Sequence, residues 1–332
     1  MFDKEKIITI IDLTDQFHER KAPDWQSEIC KSSIGIEKLH YEIYDYVSVK
    51  LIPSPTEKTL RELTIKKITS LIKQFNPSFK VKVFGSYAQN LDTKYSDIDL
   101  EILCDNDQNC IESEFQLLTD IYDYFRANNS FSPNDISLIP AKVPIIKAKL
   151  LETNINVDIG INNIEGIEIA DIIFGHVSNE PILKYTILLI KELLRINQLN
   201  ESINGGMTSL MLFEIVFYFF QETIKIKEKE NEINLGSFFL SFLKFYSEEF
   251  KYQEYGITIF RGGKKYYKNM KYNMNYLNSN TLSVESCVNS NVDLGRNCTS
   301  YPDIMNLFKK IHEKLVCSPG NTASYLNEIG LL

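Results

Sequence analysis

The chain has 332 residues, 44% hydrophobic and 12% aromatic, which suffices for two packed domains and excludes a disordered or low-complexity protein. Its strongest apolar run, 206–220, is interrupted by Thr208, Ser209 and Glu214 and falls short of the roughly 20 residues a bilayer core demands, so it reads as a buried helix. The charged opening Met1-Phe2-Asp3-Lys4-Glu5-Lys6 gives no signal-peptide core, six cysteines without a C-x-x-C pair give no zinc site or disulfide framework, and an intracellular protein with no membrane partner is expected.

A net charge of -8 runs against broad phosphate binding, which needs Lys and Arg to displace counterions. Local clustering can override that total. The stretch 261–271 collects Arg261, Lys264, Lys265, Lys268 and Lys271 around Tyr266 and Tyr267, a composition that suits backbone contact plus base stacking and equally suits a solvated hairpin.

In chain order, helical spacing covers 39–51 and 57–75, separated by Pro53-Ser54-Pro55, where a helix stops and another is capped. Period-two alternation then marks strands at 80–84 and 96–103, broken by Gly85-Ser86. A helix follows over 112–126, and short strands over 135–139, 143–150 and 154–161. Beyond Asn163 the pattern turns helical, with helices at 181–196, 207–222 and 235–250 and a charged surface loop at 225–234. Two short strands (256–260, 264–267), an Asn- and Ser-rich stretch (273–291) and a last helix (302–315) complete the chain. The fold class is therefore α+β: a mixed sheet with helices, then a mostly helical domain.

Asp97 and Asp99 stand at i and i+2 of a predicted strand, so their carboxylates share a face while Ile98 points to the core. Two carboxylates that close raise each other's pKa, and a divalent cation is the usual remedy. Asp158, between apolar neighbours on a later strand, can supply a third ligand, and three carboxylates can hold two Mg²⁺ ions. Gly85-Ser86 lies where a small residue lets backbone amides and a hydroxyl approach phosphate. Lys191 and Arg195, four apart on one helix, share a face that can meet phosphates, and Ser209 can add a donor.

On these residues the chain resembles the terminal nucleotidyltransferases with a poly(A) polymerase-associated domain, within the polymerase-β-like superfamily, and in particular the TRAMP-type poly(A) RNA polymerases. Val83-Phe84-Gly85-Ser86-Tyr87-Ala88 with Ser96-Asp97-Ile98-Asp99 carries the signature. Ala141-Lys142-Val143-Pro144-Ile145-Ile146-Lys147 and Val157-Asp158-Ile159 resemble the strands that deliver the third carboxylate. Leu188 to Arg195 and Gly205-Gly206-Met207-Thr208-Ser209 resemble triphosphate-binding helices.

The resemblance implies a catalytic palm at 56–163, a central domain built from 1–55 and 164–320, and a tail at 321–332. It implies nucleotide addition to an RNA 3′ end, with ATP as substrate and Mg²⁺, replaceable by Mn²⁺, on Asp97, Asp99 and Asp158. It further implies a separate RNA-binding zinc-knuckle subunit, an RNA helicase of a TRAMP-like complex, and a nuclear place. Terminal uridylylation and a catalytically silent scaffold are the alternatives; a small-molecule nucleotidyltransferase would not need the helices after Pro181.

Three positions depart from the family. Leu210 stands where an aromatic residue usually stacks on the incoming base, the late base-recognition stretch is altered to Glu285-Ser286-Cys287 and Asp293-Leu294-Gly295-Arg296, and Val292 replaces the histidine of uridine-preferring relatives, which favours ATP. Stacking on an aromatic is worth about 1–3 kcal/mol, or roughly 5- to 150-fold in binding. Replacing Leu210 with Tyr is expected to lower the KM for ATP within that range, as read by steady-state extension of an oligoribonucleotide; an unchanged KM in a folded variant would show that the base is held elsewhere.

Overall fold

The computed structural model describes residues 22–104, 114–141, 143–227, 234–270, 280–318 and 320–331. They pack into two compact units, one from the described parts of Met1–Lys50, Asn231–Phe250 and Asp303–Leu332, the other from those of Leu51–Glu230 and Lys251–Pro302. Cys110, Lys142 and Lys271 lie outside the described residues, as do 228–233 of the charged loop and 273–279 of the Asn- and Ser-rich stretch.

The second unit opens with α3, Pro55–Phe75, preceded in the chain by α1 (Glu28–Ser32) and α2 (Gly35–Tyr46) of the first unit. Ser54 and Glu57 form a reciprocal capping box with Pro55 in the first turn, which fixes where α3 begins. The sheet that follows comprises β1 (Lys80–Phe84), β2 (Ile98–Leu103), β3 (Phe131–Ile139), β4 (Ile145–Leu150) and β5 (Ile155–Ile161), in the order β1-β2-β5-β4-β3. Only the β2–β5 pair is parallel. The short α4 (Gly85–Ala88) joins β1 to the loop before β2, and α5 (Glu114–Arg126) joins β2 to β3.

One face of this sheet is sealed by α3 and α5. Ile68, Leu71 and Ile72 meet Leu118, Ile121 and Phe125 over Ile98, Leu100, Ile102, Val157 and Ile159. Burial of that cluster, at about 25 cal/mol per Å² of apolar surface, fixes the strand register. Expected strand 96–103 is shorter than its alternation suggests. Its partner β1 ends at Phe84, opposite Asp99, so Ser96 and Asp97 have no β1 residue to pair with and remain in the loop.

After β5 come α6 (Ile164–Val177), α7 (Pro181–Ile196) and α8 (Ser209–Lys227). Residue 163 is not a break between the units, because α6 packs against β1 and α4 and draws the helices onto the sheet. Helix α8 runs past the expected end at 222 to Lys227. The strands β6 (Tyr255–Thr258) and β7 (Lys264–Tyr267) appear as expected, but the Asn- and Ser-rich stretch also contributes a third, β8 (Ser283–Val284), parallel to β6. Among the described residues no helix is long and apolar enough to cross a membrane.

The first unit is helical: α1, α2, α9 (Leu235–Lys244), most of α10 (Tyr301–Cys317) and α11 (Tyr325–Glu328). Its polar centre is Glu42, fully buried on α2. One oxygen accepts from Gln26 Nε2 at 2.7 Å and the other from the Leu326 amide at 3.0 Å and the Ser324 hydroxyl at 3.3 Å, so a single carboxyl ties the last residues to α2.

Burial pushes the Glu42 pKa up to about 7, against the lowering effect of those donors. Because the folded pKa lies above the unfolded one, the stability this group contributes is complete below about pH 4.5 and is lost as pH rises through about 7. In urea titrations between pH 5 and 8, Glu42→Gln is expected to gain stability relative to the wild type as pH rises, each unit of pKa displacement being worth about 1.4 kcal/mol. A difference that stays flat with pH would remove Glu42 as the titrating group.

Candidate active site

Strand register assembles the acidic residues. In the β2–β5 pairing Asp99 stands directly opposite Asp158, and in the β4–β5 pairing Asp158 stands opposite Lys147. Phe84 of β1 faces Asp99 from the other side, which gives a row Phe84, Asp99, Asp158, Lys147 across four strands. Asp97 precedes the strand and is held by Asn156, whose Nδ2 donates to its Oδ1 at 3.1 Å. Lys147 Nζ donates to Asp158 Oδ2 at 2.7 Å.

Gly85 turns β1 into α4 with φ +60°, and a Cβ there would fall 1.9 Å from Asp99 Oδ2. Glycine is required twice, for the left-handed backbone and for the space the Asp99 carboxylate occupies. Burial, then repulsion from Asp158 and Asp97, push the Asp99 pKa up to about 6, while Lys191 and Lys147 oppose the rise. Burial likewise raises Asp158, with Lys147 opposing.

The basic residues lie on α7. Burial holds the Lys191 ammonium below its ordinary range against the pull of Asp99 and Asp92, and its Nζ reaches the Leu91 carbonyl at 3.5 Å. Arg195 makes a two-pronged bond to Glu192, 2.7 and 2.8 Å, and lies 4.7 Å above the Tyr95 ring. Lys191, Arg195 and Ser209 line one cavity of ≈ 80 Å³ with Thr93, Met207 and Leu212. Thr208 accepts the Met211 amide at 3.2 Å, so capping at the start of α8 falls to Thr208 rather than to Ser209. Asp97 and Asp158 line a second, open cleft of ≈ 280 Å³ with Lys147, Lys149, Asn156 and Ser137.

The expected residues are thus gathered in one unit, but Lys191, Arg195 and Ser209 line one cavity, Asp97 and Asp158 the other, and Gly85, Ser86 and Asp99 line neither, while Asp99 feels Lys191 of the first and Lys147 of the second. Among the described residues no three acidic, imidazole or thiolate side chains converge closely enough to hold a metal ion. In kind the donors do suit a hard divalent cation, since two carboxylates on adjacent interior strands and a third in the loop just before one of them offer oxygen ligands whose mutual repulsion it would relieve.

Two expectations about neighbouring residues change. Tyr266, named for base stacking, is half-buried with its hydroxyl 2.7 Å from Ser283 Oγ, while Tyr255 and Tyr267 form the outward aromatic pair, 4.7 Å apart with Lys265 over Tyr255. Asp293, in the late stretch, turns inward. It accepts from the Val284 and Gly295 amides at 2.9 and 3.0 Å and from the Ser283 hydroxyl at 2.8 Å, which makes it a backbone brace.

Lys147 and Asn156 received no role in the sequence because their importance depends on strand register. Arg61 had a readable signal: it shares the buried stripe of α3 with Thr64, Ile68, Leu71 and Ile72, a position where an arginine needs a buried partner.

The strand row beneath a glycine turn defines the class, a nucleotidyltransferase palm. The polymerase core of TRAMP, an RNA surveillance complex, superposes on 89% of this chain and 93% of its own with a TM-score of 0.77 at 23% identity. A family model described as the central palm domain of mitochondrial-like poly(A) RNA polymerase matches residues 39–175, and one described as Cid1 family poly A polymerase matches 234–290.

Poly(A) RNA polymerase CID14 of Cryptococcus neoformans is 31% identical over 257 residues, 74% of this chain and 32% of the relative. Poly(A) RNA polymerase protein 1 of Eremothecium gossypii is 25% identical over 323 residues, 95% of this chain and 49% of the relative. Trf4-2 of Drosophila melanogaster, named as an inactive polymerase of this kind, is 26% identical over 309 residues, 89% and 73%. The chain spans half or less of the length of the first two of these relatives. It belongs to the family of poly(A) RNA polymerases, terminal nucleotidyltransferases with a poly(A) polymerase-associated domain.

Gly85→Ala is expected to cost roughly 1–2 kcal/mol for the left-handed backbone alone and to displace Asp99 as well. Urea unfolding checks the first effect and nucleotide extension the second. A variant with wild-type stability and activity would show that the close approach of Gly85 and Asp99 has no role.

Proposed function

We propose that this chain adds AMP from ATP to RNA 3′ ends without a template. The observation that carries the reading is the row of Asp97, Asp99 and Asp158 coupled to a basic cavity through Lys191 and to an open polar cleft through Lys147.

In this reading the triphosphate lies against Lys191, Arg195 and Ser209, with the Gly85-Ser86 turn beside Asp99. The RNA 3′ end enters the cleft of Lys147, Lys149 and Asn156. The 3′ oxygen forms a bond to the α-phosphorus as the bond to the β-phosphate oxygen breaks. Pyrophosphate leaves, and the hydroxyl proton passes to the carboxylate row and on to water. Mg²⁺, held by Asp97, Asp99 and Asp158, would supply Lewis-acid stabilisation of the phosphate charge. Residues of this chain hold the two substrates on either side of the carboxylates, which restricts them to an in-line approach.

RNA beyond its last nucleotide has a matching surface on the β6–β7 hairpin, where Arg261, Lys264 and Lys265 are exposed beside the Tyr255–Tyr267 pair. With a net charge of -8 on the chain, a separate RNA-binding subunit such as a zinc-knuckle protein, and a helicase, belong to the reading, as does a nuclear place in RNA surveillance. Val292, 39% exposed, offers neither donor nor acceptor to a uracil edge, so ATP is preferred to UTP.

The contrasting reading, a silent scaffold, rests on Leu210 and on the name of the Drosophila relative. One assay decides between them: purified chain, Mg²⁺, a labelled oligoribonucleotide and each of the four nucleoside triphosphates in turn. ATP-dependent extension is expected, reduced to background in the Asp97→Ala/Asp99→Ala double variant. A wild-type protein that extends nothing, or extends better with UTP, would overturn the adenylyl assignment.

A further inference from the structure

Arg61 is 3% exposed, midway along the sequence between the α3 cap and the core, and no catalytic step uses it. Its Nη2 donates to two carbonyls of one loop, Thr93 at 3.0 Å and Ser96 at 2.8 Å, while Nε faces Asp92 Oδ2 at 3.8 Å. Nη1 has no hydrogen-bond partner among the described residues. An arginine buried with part of its fork unused is costly, and its retention points to a geometry in which Nη2 holds both carbonyls while Nε faces Asp92, an arrangement a single ammonium does not supply.

The loop it grips serves both halves of the candidate site. Ser96, whose carbonyl Arg61 holds, is bonded directly to Asp97. Thr93 lines the cavity of Lys191 and Ser209, and Tyr95 lies under the Arg195 guanidinium. The loop also braces itself, since the Thr93 amide donates to Ser96 Oγ at 3.0 Å and the two hydroxyls lie 3.2 Å apart.

We propose that Arg61 is a positioning residue for nucleotidyl transfer, its buried guanidinium setting residues 92–97 so that Asp97 and the Thr93–Tyr95 wall keep a fixed relation across the site. The inference rests on the adenylyltransferase reading for its consequence, but its first readout does not require RNA extension.

Mn²⁺ binding by the full chain is followed through the loss of the free-ion electron paramagnetic resonance signal, for wild type, Arg61→Lys and Ser96→Ala. Thermal melts and ATP-dependent extension are measured on the same samples. Lysine keeps a charge near Asp92, but one ammonium on a shorter side chain cannot both hold the two carbonyls from the Nη2 position and face Asp92 from the Nε position. Arg61→Lys is therefore expected to raise the Mn²⁺ dissociation constant about 10- to 100-fold, the range seen when partners of metal ligands are lost, with a matching fall in kcat that added Mn²⁺ partly restores.

A merely structural arginine would lower the melting temperature and leave the Mn²⁺ affinity of the folded protein unchanged; that result overturns the proposal. If Arg61→Lys does not fold, Ser96→Ala decides, because it removes the loop's own brace while leaving every buried charge in place. Wild-type Mn²⁺ affinity in Ser96→Ala overturns the proposal, and weakened affinity supports it. A wild type that binds Mn²⁺ in an Arg61-dependent way yet extends no RNA supports this inference and sinks the adenylyl reading. A wild type that binds no Mn²⁺ overturns both.

Discussion

The constraint on which the second unit turns is the placement of Asp99 opposite Asp158 in a parallel strand pair. Two carboxylates on adjacent strands, both partly buried, repel each other in a medium that screens poorly. The surrounding residues answer that repulsion. Lys147 takes Asp158, Asn156 takes Asp97, and Lys191 lies near enough to pull on Asp99. Burial, and after it the repulsion from Asp158 and Asp97, nevertheless keep the Asp99 pKa up at about 6. A divalent cation beside the three carboxylates would relieve that repulsion, which is the physical ground for the proposed role.

That arrangement is sustained by rigidity beneath it. Ile98, Leu100, Val157 and Ile159 are fully buried under α3 and α5, and a register slip of one residue would turn them outward and the aspartates inward. Gly85 admits the Asp99 carboxylate from the side where β1 ends. Beside the strands lies the loop 92–97, irregular backbone that has no ladder to hold it and is gripped by Arg61. Strands and loop thus contribute different kinds of precision to the same few side chains.

Both units also use buried or half-buried carboxyls as backbone braces. Glu42 gathers the last residues onto α2, Asp293 ties β8 to the turn after it, and Glu214 of α8 accepts the Cys287 amide at 2.7 Å. A carboxyl can accept several N–H groups at once, which suits it to segments with no regular hydrogen-bond partners. Burial raises Glu42 and Glu214 to about 7, whereas Asp293 is satisfied by three donors. The altered late stretch therefore has an internal task of its own, independent of any contact with a base.

The sequence by itself determined the helices and strands with strong periodicity, the α+β class, and the acidic and glycine signatures. Alternation marks the strand that carries Asp99, although Asp97 falls in the loop just before it, and a glycine between two strands marks a close approach. Both are local properties, fixed within a few residues. Only the tertiary structure decided that Asp158 meets Asp99, that Lys147 occupies Asp158, and that Arg61 holds the loop before Asp97. These depend on which strands are neighbours, and residues 59 apart in sequence become opposite only when β5 lies beside β2. The short β8 was illegible for the same reason, since two residues within an Asn- and Ser-rich stretch carry no period and are made a strand by β6 alone. Tyr266 and Tyr267 read alike in sequence, yet pairing in the hairpin turns the first to Ser283 and the second to Tyr255, because successive strand residues face opposite sides and only the packed sheet says which side is inside.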